Sequence, residues 1–245
     1  MTTDFTGRTV VVTGGARGQG AAHTTLFAER GATVYALDLL DDLGAALQED
    51  LTGRGLKVVY RHHDVTSESD WDALTAHLEE AHGALDVLVN NAGIVHTAEI
   101  PEENLARFER VLSVNTTGVF LGMNKCWALL SDARGAIVNV ASVYGLHSNP
   151  GYVAYTASKA AVVGMTRTAA VEGAAVGIRA NCVSPGTVQT QQLADEGRSY
   201  VREATPMDRG ADPSEISSVV AFLASPAASF VTGVEVPVDG GFSAH

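Results

Sequence analysis

Lysine is the scarcest charged residue here: three in a chain of 245, against 28 acidic side chains and a net charge of −12. That balance argues against nucleic acid or anionic membrane surfaces as partners, since both require clustered cations. Cysteine is scarcer still. Cys126 and Cys182 sit in apolar surroundings at no metal or C-x-x-C spacing, which predicts buried free thiols and a reducing, cytoplasmic setting. No apolar run is long enough to cross a bilayer, and the short polar stretch from Met1 to Arg8 lacks the form of a signal peptide. His62-His63-Asp64 has no third ligand at metal spacing, so no metal is expected. Ser142 has no G-x-S-x-G elbow around it, which removes the hydrolase reading.

What is present is an apolar share of 46%, rich in glycine and alanine, with strand-length and helix-length segments alternating throughout. Strands are predicted at Thr9–Thr13, Thr33–Asp38, Lys57–His62, Val87–Asn90, Ala136–Ala141, Arg179–Val183 and Val234–Val238. Helices are predicted near Gly18–Arg30, Asp41–Thr52, Ser67–His82, Asn104–Leu130, Tyr152–Val176 and Pro213–Ala224. Ser67 with Asp70, and Asp212 before Pro213, read as helix starts. Runs such as Val10-Val11-Val12 and Val87-Leu88-Val89 are apolar on both faces, as a covered parallel sheet requires. The expectation is one α/β domain over residues 1–245: a doubly wound parallel sheet of about seven strands with helices on both faces. The polar stretch 187–210 after Pro185-Gly186 reads as a loop or short helical flap.

Three local features carry chemistry. In Tyr155-Thr156-Ala157-Ser158-Lys159 a lysine follows a tyrosine by four residues, one helical turn. A neighbouring ammonium lowers a phenol pKa from about 10 and suits the tyrosine to general acid/base work. Thr13-Gly14-Gly15-Ala16-Arg17-Gly18-Gln19-Gly20 joins the first strand to the first helix. Gly14 would allow a sharp turn, Gly18 the approach of a pyrophosphate, and Gly20 close helix–strand packing. Its G-x-x-x-G-x-G spacing differs from G-x-G-x-x-G, and a purely structural turn is the competing reading. Asp38 closes the second strand, where an acid can accept from a ribose 2′-hydroxyl. With Asp41 and Asp42 nearby it would repel a 2′-phosphate, whereas Arg17 would attract one; the acid at the strand tip favours NAD over NADP.

Together these features resemble the short-chain dehydrogenase/reductase family over essentially the whole chain. The resemblance rests on the glycine loop, Asp64-Val65, Asn90-Asn91-Ala92-Gly93, Asn115, Ser142, Tyr155 with Lys159, Pro185-Gly186-Thr187-Val188-Gln189-Thr190, and Val238-Asp239-Gly240-Gly241. Within the family the chain is most similar to bacterial 3α/20β-hydroxysteroid dehydrogenases and related secondary-alcohol dehydrogenases. The resemblance implies a Rossmann-type NAD(P)-binding domain and interconversion of a secondary alcohol and a ketone. Cofactor contacts would come from Gly14, Arg17, Gly18, Gln19, Gly20, Asp38, Leu39, Asp64, Val65, Asn91, Ala92 and Gly93, and from Tyr155, Lys159, Pro185, Gly186, Val188 and Thr190. Ser142 would bind the substrate oxygen, Tyr155 transfer the proton, Lys159 lower the phenol pKa and hold ribose hydroxyls, and Asn115 fix a relaying water.

Substrate contacts are expected from Ser142, Val143, Tyr155, Val95, His96, His147 and Tyr152, with Leu146 and residues 187–207 as further walls. Tyr144 and Tyr152 lack the lysine one turn on and are not expected to transfer protons. A non-catalytic NAD(H)-binding sensor would be expected to lose part of the Asn-Ser-Tyr-Lys set, which is complete here. A β-ketoacyl-thioester reductase stays open; an epimerase would carry a longer C-terminal region, and an enoyl reductase a wider Tyr-to-Lys spacing. The resemblance also implies a homotetramer paired through the two long helices, the last strand and the C-terminal tail, with small residues at Ala160, Ala161 and Gly164.

Overall fold

A computed structural model describes residues 4–190 and 205–244. Seven strands form one sheet: β1 Thr9–Thr13, β2 Thr33–Asp38, β3 Lys57–His62, β4 Val87–Asn90, β5 Ala136–Val140, β6 Arg179–Pro185 and β7 Glu235–Val238. All neighbours pair in parallel, in the order β3-β2-β1-β4-β5-β6-β7. Among the described residues the α-helices are α1 Gly18–Glu29, α2 Asp41–Gly53, α3 Glu68–His82, α4 Leu105–Leu112, α5 Gly118–Ala133, α6 Val153–Ala174 and α7 Pro213–Ala224.

Strand alternation divides the core into two layers. Val10, Val12, Val87, Val89 and Val138 pack with Phe27, Leu51, Ile216 and Val220 from α1, α2 and α7. Val11, Leu88 and Ile137 face the other way, onto Trp71, Leu78, Cys126, Leu130 and Val162 from α3, α5 and α6. Every residue of β1, β4 and β5 is buried, which is why these strands read as continuous apolar runs. The expected caps form. Ser67 Oγ accepts from Asp70 N at 3.3 Å, and Asp212 and Glu215 build a reciprocal capping box at α7. Cys126 and Cys182 are buried free thiols, their pKa values pushed up to about 12 by burial.

One predicted element is divided. The helix expected over Asn104–Leu130 contains a π turn at Ser113–Thr117 between α4 and α5, where Gly118 N bonds Ser113 O across five residues. α5 then runs on to Ala133, three residues past the expected end, and stops at Arg134 in the left-handed region with φ 49°. Apolar periodicity cannot register an inserted residue in a turn. The inserted turn carries Asn115, and π turns gather at functional positions. Of the stretch 187–210, residues 191–204 lie outside the described residues; on either side of them, Val188 and Ala211 form a parallel bridge.

The sheet order reverses direction between β1 and β4. Ligands of open α/β sheets bind in the crevice outside the strand C-termini at such a switch point.

Candidate active site

The glycine loop lies at that crevice. Gly14 and Gly18 take left-handed φ values of 61° and 56°, as the turn into α1 requires. Gly20 packs on the loop so closely that an added Cβ would stand 2.7 Å from both the Gly14 carbonyl carbon and Asn91 Nδ2. Asn91 fastens the loop from β4, donating to Thr13 O at 2.9 Å and Gly14 O at 3.2 Å. Thr13 Oγ1 accepts in return from the N–H groups of Asn91 and Ala92, both at 3.0 Å. The free N–H groups at the start of α1 are thereby held as an anion cradle.

Asp38 stands at the tip of β2. Its Oδ2 accepts from Ala16 N at 3.1 Å, and its Oδ1 from Leu39 N at 2.8 Å and Leu40 N at 3.3 Å. A carboxylate offers about four acceptor positions, so Oδ2 retains one for a ligand hydroxyl. Leu39 is exposed beside it. Asp41 is held by Tyr60 Oη at 2.8 Å and by His62 Nδ1 at 2.9 Å, and these contacts keep its carboxyl below the usual carboxylate range. Asp64 uses Oδ1 on the N–H and hydroxyl of Thr66. Val65 is turned inward under Gly118, and its carbonyl accepts from Trp71 Nε1 at 2.9 Å.

A cavity of about 330 Å³ opens from the loop across the C-terminal ends of β4, β5 and β6. Gln19, Asn91, Gly93, Pro185, Gly186, Val188 and Thr190 line one part of it. Thr190 reaches the glycine loop, since a Cβ on Gly18 would meet Thr190 Cγ2 at 3.4 Å. Gln19 Oε1 is buried with no hydrogen-bond partner among the described residues, an acceptor available to a ligand donor. This cradle, with the Asp38 acceptor at one end and Lys159 at the other, fits a nicotinamide dinucleotide.

Ser142, Tyr155 and Lys159 meet on the cavity wall. Ser142 caps the 3₁₀ turn Val143–Gly145, accepting from Tyr144 N at 3.2 Å, and hydrogen-bonds the Tyr155 phenol. Lys159 is 4% exposed, and its Nζ donates to Val140 O at 2.8 Å. Burial brings its pKa down to about 8. The electrostatics differ from expectation at Tyr155. Burial raises the phenol above its ordinary value, and the Ser142 hydrogen bond only partly opposes this. Lys159 Nζ stands 5.7 Å from the centre of the Tyr155 ring and spends its short contact on a β5 carbonyl. One-turn spacing brought the two side chains together, but desolvation of both outweighs their attraction in the protein alone.

Asn115 also differs from expectation. It is fully buried, its Oδ1 accepting from Ile94 N at 2.8 Å. Its Nδ2 donates to Ile94 O at 2.9 Å and to Ser158 Oγ at 3.0 Å. Ser158 Oγ donates to Tyr155 O at 2.7 Å. The amide expected to fix a water is thus engaged in locking the post-β4 loop to the turn of α6 that carries Tyr155 and Lys159.

Of the expected substrate contacts, Val95, Val143 and Tyr152 line the cavity with Ser142 and Tyr155. His96 points to Glu103, 3.8 Å away, and His147 packs edge-on against Phe242 at 5.7 Å; neither is on the cavity wall. Leu146 is exposed outside it. Ile94, Tyr144 and Phe242 line the cavity and were not anticipated as walls. Phe242 lies just past Gly240-Gly241, whose φ values of 61° and 92° turn the chain back over the site; that glycine pair was the available signal.

A family model described as Enoyl-(Acyl carrier protein) reductase matches residues 14–243. The chain belongs to the short-chain dehydrogenase/reductase family and is an oxidoreductase. It is 40% identical to a cyclopentanol dehydrogenase of Comamonas sp. (strain NCIMB 9872), over 97% of this chain and 98% of the relative. It is also 40% identical to a 3-alpha-(or 20-beta)-hydroxysteroid dehydrogenase of Mycobacterium tuberculosis (strain ATCC 25618 / H37Rv), over 96% of this chain and 89% of the relative. The crystal structure of gox2181 superposes with a TM-score of 0.95 at 34% identity, over 99% of this chain and 98% of that one. Dehydrogenases of this family use nicotinamide cofactors.

Proposed function

We propose that this protein interconverts a secondary alcohol and a ketone with NAD, using Tyr155 as the proton-transferring group. The observation that carries the reading is the Ser142 hydroxyl hydrogen-bonded to the Tyr155 phenol on one cavity wall, with the buried Lys159 ammonium beside them. Two hydroxyls directed at one point can hold a single carbonyl or alcohol oxygen. The bound nicotinamide supplies the hydride chemistry. Ser142 orients the substrate oxygen, and Tyr155 gives the proton in reduction or takes it in oxidation. Lys159 holds cofactor hydroxyls and steadies the phenolate. Asn115 acts through Ser158 to keep Tyr155 and Lys159 in place. Asp38 accepts from the ribose end and disfavours a 2′-phosphate there.

Because burial raises the phenol pKa in the protein alone, Tyr155 needs the positive charge of oxidised nicotinamide to become an effective base. Alcohol oxidation should therefore rise with pH through the phenol pKa, while ketone reduction falls over the same range. The test is Tyr155→Phe, which keeps the ring and deletes the hydroxyl. NADH affinity should persist while turnover, followed by NADH absorbance, falls by about a hundredfold or more. Near-native turnover in Tyr155→Phe would refute the mechanism.

A further inference from the structure

Tyr60 has no part in the chemistry at Tyr155, yet its contacts converge on the tip of β2. It lies on β3, in register with Ala36. Its hydroxyl donates to Asp38 O at 2.9 Å and to Asp41 Oδ1 at 2.8 Å, a three-centre bond from one proton. Burial, reinforced by Asp41 and Asp38 beside it, pushes the phenol above its ordinary value, so the group stays a donor at any working pH. Asp38 O accepts a second bond, from His63 N at 3.0 Å. The same peptide plane ends in Leu39 N, which donates to Asp38 Oδ1 at 2.8 Å. Whatever fixes the Asp38 carbonyl therefore also fixes the direction of its carboxylate.

Helix α2 is shaped to receive the Tyr60 ring. Asp41, Gly44 and Gln48 share one face of it, spaced by three and then four residues. Gln48 Oε1 accepts from Tyr60 N at 2.6 Å. A Cβ on Gly44 would stand 2.6 Å from Tyr60 Cγ and nearer still to two other ring carbons. Only glycine lets the helix settle so close to the ring, although glycine weakens a helix. Asp41 Oδ1 is steadied in turn by His62 Nδ1 at 2.9 Å. Tyr60 is thus gripped by α2 at three points, with its hydroxyl aimed back at the turn that carries Asp38.

We infer, resting on the NAD reading proposed above, that Tyr60 is a positioning residue for cofactor choice: its hydroxyl holds the Asp38 carboxylate where it accepts from a ribose hydroxyl and opposes a 2′-phosphate. Without that bond the peptide after Asp38 is held from one side only. Leu39 N then drifts from Oδ1, and the carboxylate turns toward water. A carboxylate that turns away deprives a 2′-hydroxyl of its acceptor and relieves the repulsion of a phosphate. The loss falls on the difference between two cofactors, whereas a general loosening of the fold weakens both alike.

The experiment measures Kd for NADH and for NADPH by fluorescence quenching in the wild type, Tyr60→Phe, Asp38→Ser and the double variant, with thermal melting alongside. Tyr60→Phe keeps the ring on Gly44 and deletes only the hydroxyl. The NADH Kd should rise about fivefold, in the range of one hydrogen bond, while the NADPH Kd stays level or falls. In the Asp38→Ser background the same substitution should leave the ratio of the two Kd values within about twofold, because the carboxylate it positions is gone. Should Tyr60→Phe fail to fold, Gly44→Ala, which drives the ring off its seat, carries the test against Gly53→Ala on the same helix. An unchanged ratio in Tyr60→Phe, or an equal shift with and without Asp38, would overturn the inference while leaving the NAD reading standing. So would an equal weakening of both cofactors, the mark of a merely structural role. A wild type that binds NADPH more tightly than NADH fails the NAD reading, and this inference with it.

Discussion

Gly20→Ala is a sharp test of the phosphate cradle, because the clash it creates is with groups that cannot give way. The new methyl would stand 2.7 Å from the Gly14 carbonyl carbon and from Asn91 Nδ2, and closer still to the Gly14 oxygen. Ordinary contact begins at 3.4 Å, and the Gly14 oxygen, the nearest of the three atoms, sets a shift of more than about 1 Å. Gly14 is backbone at a φ of 61°, and Asn91 Nδ2 is pinned by two carbonyls of the loop. The start of α1 must therefore move, carrying the N–H groups of the cradle with it. Overpacking of this kind costs about 1–3 kcal/mol, or a Tm loss of roughly 2–4 °C for each kcal/mol in a chain of this size. A misplacement approaching 1 Å at a binding or reacting group can cost about a hundredfold, so NADH affinity should fall at least about tenfold. The assay is NADH binding by fluorescence quenching, with thermal melting alongside. Gly53→Ala is the control, since its methyl would meet nothing within 4 Å. A Gly20→Ala protein that binds NADH within twofold of the wild type would refute the cradle argument.

Asp38→Ser should shift the ratio of NADP to NAD affinity toward NADP by tenfold or more; a wild type that already binds NADPH ten times tighter than NADH, about 1.4 kcal/mol, would sink the Asp38 reading. His23 and His63 are buried, and desolvation brings both imidazoles down to about 4 from 6.5. Both are neutral in the fold while the unfolded chain takes up protons below 6.5, so stability should be full above that pH and decline as pH falls toward 4, by about 3 kcal/mol for His23 alone. Urea unfolding between pH 7 and 4.5 checks this, above the range where the lowered carboxyl of Glu215, at about 2, is protonated; a flat stability over that range would count against it. A homotetramer is expected in solution, with exposed Leu105 and Phe120 on α4 and α5 and Val171 on α6 as apolar surface to be covered. Light scattering that shows a monomer at micromolar concentration would exclude it.

Apolar patterning was enough to place the strands and most of the helices along the chain, although it read α4, the π turn and α5 as one helix. β1 through β4 fall on the expected residues because a strand buried on both faces must be apolar at every position, a pattern that does not depend on its neighbours. The glycine loop was equally legible, since a tight turn with close backbone approach admits little else. Tyr155 and Lys159 could be paired on paper because one helical turn is a local distance. Tertiary structure decided what rests on long-range contact. The π turn at Asn115 is fixed by an amide that reaches Ile94 and Ser158, 21 and 43 residues away. Phe242 joins Tyr144 on the cavity wall from the far end of the chain, a meeting no local pattern encodes. The direction of the Tyr155 pKa shift, too, was set by the packing around it: spacing gives the distance to a charge, whereas desolvation depends on everything else that surrounds the group.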